Sequence, residues 1–85
     1  MENYYILSII TCKDGVTNQE TALFADLETA KVSFSENLNY YLSAAPENLD
    51  AYNGYDGKLL AWFEIGETTD AFWVRGDIQK KSLIY

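Results

Sequence analysis

The chain has 85 residues with 13 acidic and 6 basic side chains, no histidine and one cysteine, for a net charge of −7. That charge opposes direct binding to nucleic acid or to anionic membrane surfaces. The missing histidine removes His-based acid–base and nucleophile arrangements and most transition-metal sites. A lone Cys12 forms no internal disulfide and fits a reducing compartment. Hydrophobic residues at 48% and aromatics at 15% suffice for a core without staples.

The first element is Asn3–Cys12, NYYILSIITC. The apolar run is too short to span a bilayer, no Lys or Arg precedes it, and no small-residue cleavage pattern follows. It is expected to be a strand in a cytoplasmic protein, and residues 1–85 a single domain without signal peptide, transmembrane segment or linker. Both alternation sets, Tyr5/Leu7/Ile9 and Tyr4/Ile6/Ile10, are largely apolar, which points to a strand in the middle of a sheet or at an interface. Lys13-Asp14-Gly15 is a turn, with Asp-Gly favouring a type I′ hairpin. The returning strand, Val16–Ala25, pairs Phe24 with Tyr5 if the loop has two residues and with Tyr4 if it has three. Composition leaves that choice open.

Residues 26–45 read as an amphipathic helix. Leu27, Ala30, Phe34, Leu38, Tyr41, Leu42 and Ala45 fall in a stripe about 120° wide at 100° per residue. Asp26 is the N-cap, Glu28 sits in the first turn, and Pro46 stops the run. A polar, turn-rich stretch follows over 47–57, with Asn53-Gly54 and Asp56-Gly57 as turn dipeptides. All five glycines (15, 54, 57, 66 and 76) are assigned to turns. Lys58–Ile65 alternates as a strand, residues 66–70 read as a hairpin loop, and Ala71–Arg75 returns. Gly76-Asp77 reads as an interruption. Residues 78–85 then continue the strand past a bulge or form a separate edge segment. The order is β-β-α-β-β, an α+β fold with a four- to five-stranded antiparallel sheet and one helix packed on one face.

Chemistry is scarce in this pattern. Cys12 reads as a small buried hydrophobe, and no glycine loop cradles a phosphate. The stretch from Asp50 fails as a calcium loop, because Tyr52 and Gly54 occupy the third and fifth positions. No catalytic residue, cofactor or metal is expected, and the chain is expected not to be an enzyme.

The aromatic pattern is more informative. With the helix over Leu59, Phe63, Phe72 and Val74, the opposite face carries Leu60, Trp62, Trp73 and Arg75. Trp, Tyr and Arg are the preferred anchors of protein interfaces, and Tyr52 and Tyr55 lie in a loop of recognition-like composition. The alternative is that residues 78–85 or the 46–57 loop fold across that face. The leading expectation is a small acidic protein-interaction module that binds another protein or forms a homodimer through the Trp62/Trp73 face. Size and charge also match a phage or mobile-element encoded, anti-CRISPR-like inhibitor. Such a protein would block a basic nucleic-acid-binding enzyme through an acidic surface of Glu47, Asp50, Asp56, Glu67 and Asp70.

Overall fold

The Asp14-Gly15 dipeptide settles the first pairing. In the computed structural model, which describes residues 3–45, 49–54 and 59–82, Asp14 and Gly15 take φ of 52° and 83°. Positive φ at both central positions is what a two-residue type I′ loop requires. The loop joins β1 (Asn3–Lys13) to β2 (Val16–Phe24), with Lys13 opposite Val16 and Tyr5 opposite Phe24. Of the two registers compatible with the composition, the two-residue one is adopted.

Helix α1 (Leu27–Ala44) begins where Asp26 supplies a cap. The Thr29 backbone N–H donates to Asp26 Oδ1 at 2.8 Å, and the Thr29 hydroxyl adds bonds of 2.9 Å to both carboxylate oxygens. The backbone bond from Thr29 holds the Asp26 carboxyl below its ordinary pKa. Ala30 and Phe34 are buried and Leu27, Leu38, Tyr41 and Ala45 half-buried, so most of the stripe packs inward. Leu42 departs from it. At 44% exposure it lies on the rim of the stripe.

Three more strands complete one antiparallel sheet: β3 (Ala51–Gly54), β4 (Leu59–Ile65) and β5 (Phe72–Ser82). The spatial order is β2-β1-β5-β4-β3. The helix covers one face, over a core of Leu7, Ile9, Ala61, Phe63, Ile65, Val74 and Ile78. Phe34 meets Phe63 edge-on, with ring centroids 5.4 Å apart, a geometry worth about 0.5–1.5 kcal/mol beyond area burial. The β-β-α-β-β layout therefore holds, and the fifth strand is β3, inside the stretch assigned to turns.

The strongest departure from the sequence pattern is at Gly76-Asp77. These residues do not interrupt the last strand. β5 runs unbroken from Phe72 to Ser82 and lies between β1 and β4, so it is neither bulged nor at an edge. Gly76 sits opposite Phe63, and a Cβ there would overlap Phe63 Cε1 and stand 2.7 Å from Cζ. The glycine makes room for an aromatic ring from the neighbouring strand. Gly54 is likewise in a strand, opposite Trp62. Gly15 and Gly66 do occupy turns with positive φ, and Gly57 lies outside the described residues. The irregularity falls instead in β4, where Leu59 opposes Gln79 and Ala61 opposes Ile78.

Candidate functional site

Strand alternation decides what the uncovered face of the sheet displays. On β1 it carries Tyr4, Ile6, Ser8, Ile10 and Cys12; on β5, the partners Lys81, Gln79, Asp77, Arg75 and Trp73 stand directly opposite. On β4, Trp62 opposes Asp77 and Glu64 opposes Arg75. Trp62 and Trp73 therefore share this face, as the alternation predicts. They stand four β5 positions apart, or about 14 Å, with Arg75 between them. Leu60 does not join them. The β4 bulge consumes one residue without a partner, and Leu60 packs against the core instead.

No described element packs on this face. Residues 78–82 extend β5 and residues 51–54 form β3 at the sheet edge, so neither folds across it. Tyr4, Ile6, Ile10, Trp62 and Trp73 are each half-buried, and Cys12 is buried beneath the Trp73 end of the face. The apolar residues follow β1, interrupted by Ser8, while β5 between β1 and Trp62 presents Lys81, Gln79, Asp77 and Arg75. Leu23 extends the apolar area onto β2, opposite Ile6, at 67% exposure.

Arg75 organises the Trp73 end. Its guanidinium donates to the carbonyls of Val74 at 2.9 Å and Ile65 at 3.3 Å. Its Nε lies 3.8 Å from Glu64 Oε1, and its Cζ stands 5.6 Å from the Trp73 ring centroid. The planar head thus serves the backbone, a carboxylate and an indole together, which a lysine could not do. Tyr52, opposite Glu64 on β3, is 59% exposed. Tyr52 therefore belongs to a strand edge rather than a loop; Tyr55 lies outside the described residues.

Asp77 is the acidic group in the middle of the face, between Ser8 on β1 and Trp62 on β4. Burial pushes its carboxyl above the ordinary value of 3.8, against a weaker opposing bond from Gln79 Nε2 at 3.5 Å. Because the folded pKa is raised, Asp77 opposes folding once ionised. Its contribution is favourable relative to the charged state below pH 3.8 and is lost as pH rises through the folded pKa. Asp77→Asn is accordingly expected to raise the urea midpoint near pH 7 and to leave it almost unchanged near pH 3. Equal shifts at both pH values would contradict this assignment.

Of the acidic positions proposed from the sequence, Asp50, Glu67 and Asp70 do converge. They line one cleft of about 310 Å³ together with Glu64, Tyr52 and Arg75. Asp70 also holds its own loop, its Oδ2 accepting the Glu67 N–H at 2.7 Å. Glu47 and Asp56 lie outside the described residues. Among the described residues no group of three or more acidic or cysteine side chains is arranged to hold a metal, and no helix is long and apolar enough to cross a membrane. Comparison with protein families, with curated protein sequences and with solved structures finds no match.

Proposed function

We propose that this chain is a small, cytoplasmic, non-enzymatic protein-interaction module that binds a protein partner, of another kind or its own, through the sheet face bearing Trp62 and Trp73. One observation carries this reading: a face with Tyr4, Ile6, Ile10, Trp62 and Trp73 has no described element over it. Uncovered apolar and aromatic side chains set among polar ones mark interaction sites in small proteins. Its charges support the same conclusion. Arg75 and Lys81 offset Glu64 and Asp77, so the face is close to neutral in a chain of net charge −7. A partner can meet it without facing the repulsion that the rest of the surface imposes.

Pull-down from the native host with mass spectrometry identifies the partner, and tryptophan fluorescence reads the face. Binding is expected to shift the emission to the blue and to protect both indoles from iodide quenching. A monomer whose indoles already emit as buried groups, or a partner that leaves emission unchanged, would sink the proposal.

A second reading is favoured by the cleft at the β3–β4 end. Asp50, Glu64, Glu67 and Asp70 gather there, as an anti-CRISPR-like inhibitor would need to occupy a basic nucleic-acid channel. Under this reading a basic nuclease binds the chain in a salt-sensitive manner, and Asp50→Asn with Glu67→Gln abolishes the binding.

A further inference from the structure

The outer edge of β2 is unpaired among the described residues, and eight of its nine residues are exposed. The type I′ loop closes on Lys13 and Val16 as a hydrogen-bonded pair, so alternate residues of β2 turn their backbone groups outward. Thr17, Gln19, Thr21 and Leu23 are these residues. The bond from Asp14 N–H to Ala71 O, at 2.7 Å, fits the same alternation, since it places the even-numbered groups of β1 toward β5. Soluble proteins protect such edges with Lys, Pro, bulges or short strands. β2 has none of these: it is nine residues long, regular in register with β1, and carries one charge, Glu20.

We propose that the β2 edge pairs with β2 of a second copy, antiparallel about a two-fold axis at Gln19, to form a ten-stranded sheet. The sequence of β2 suits pairing with itself and selects the register. Outward groups must face outward groups, so an axis through Glu20, Gln19 or Thr21 gives the long pairings. The Glu20 axis sets two carboxylates directly opposite, about 4.5 Å apart at Cα, and like charges in that position destabilise a ladder. The Thr21 axis leaves Glu20 opposite Ala22. The Gln19 axis sets Glu20 opposite Asn18 of the other copy, amide to carboxylate, and Thr17 opposite Thr21, a favourable cross-strand pair. It also makes about six inter-chain N–H···O bonds, two for each hydrogen-bonded pair.

The helix leaves room for this approach. A groove of about 380 Å³ lies between β2 and the Ser33 and Asn37 side of α1, and Asn18, Glu20 and Ala22 on that side of β2 are exposed. The two helices then lie on the same side of the joined sheet, and the two Trp62/Trp73 faces become continuous. The edge is a different surface from that face, so each proposal is tested without the other.

The test is sedimentation velocity on the full chain together with a cysteine scan. Wild type is expected to sediment at twice its 9.7 kDa mass, more completely as salt screens the net charge. Gln19→Pro removes an outward donor and takes no bond from the β1–β2 ladder, so it is expected to give a monomer with an unchanged circular dichroism spectrum. Gln19→Cys is expected to form a covalent dimer with oxidised glutathione, since the two positions lie about 5.5 Å apart at Cα. Thr17→Cys and Thr21→Cys are not, each lying about 14 Å from its own copy. A wild type that stays monomeric at about 1 mM, or cross-linking at Thr21→Cys in place of Gln19→Cys, overturns the proposal. Dimers that survive a folded Gln19→Pro and vanish in Trp62→Ala also overturn it, and place self-association on the other face.

Discussion

Gly76→Ala is expected to destabilise the fold by about 3 kcal/mol, at the upper end of what overpacking usually costs. The new Cβ would overlap Phe63 Cε1 and approach Cζ and Cδ1 to 2.7 and 2.9 Å. Phe63 has little room to yield, because it is fully buried with its ring edge-on to Phe34. For a chain of this length, total stability is about 4–13 kcal/mol, so the loss is a large fraction of the whole. With an m-value of about 1 kcal/mol/M in urea, the midpoint should fall by about 3 M. Phe63→Leu removes the obstructing ring edge, so Gly76→Ala should cost less in that background than in wild type. Additive effects in the double mutant, or an unchanged midpoint in the single one, would show that Phe63 does not constrain Gly76.

Trp62→Ala is expected to weaken binding of the partner by about 2 kcal/mol or more, close to 30-fold, as truncation of a central aromatic anchor does. Trp62 also has a structural task that must be separated from this one. Its indole lies against the β3 backbone, such that a Cβ at Gly54 would sit 3.2 Å from Trp62 Cζ2. Trp62→Phe keeps a ring against β3 while shortening the surface offered to a partner, so it should preserve the melting temperature and still lose much of the affinity. Calorimetry with the captured partner, run beside thermal unfolding of both variants, distinguishes the two roles. Binding that tracks the melting temperature alone would assign Trp62 to the fold rather than the interface.

Where the sequence pattern succeeds, its cause is local. Asp26 caps α1 three residues from its hydrogen-bond partner Thr29, and Asp14-Gly15 forms its turn from its own backbone preferences. Where it fails, the cause lies elsewhere in the chain. Gly76-Asp77 has the composition of a turn, yet Gly76 is there for a ring on the neighbouring strand. Tyr52-Asn53-Gly54 also resembles a turn, and becomes a strand because β4 offers it a free edge. Leu60 departs from strict alternation because a bulge leaves no trace in hydropathy. The placement of Trp62 and Trp73 on one face was legible because that region of β4, beyond the bulge, keeps its period of two. The convergence of Asp50 with Glu67 and Asp70 was not legible, because it depends on the pairing of β3 with β4, in a stretch whose composition is that of turns.

The placement of β5 also bears on how the chain reaches this structure. The strand that fills the middle of the sheet comes last of the five in the sequence, and it pairs along its whole length with the first, Asn3 meeting Ser82 and Lys13 meeting Phe72. During synthesis β1 and β2 can close their hairpin early, within microseconds. The other edge of β1, with Tyr4, Ile6 and Ile10 beside it, must wait until the strand ending at Ser82 has emerged. Folding is therefore paced by a contact between distant parts of the chain, which makes it slow for a domain of this size. In that interval an apolar edge at the future centre of the sheet is open to pairing with other chains.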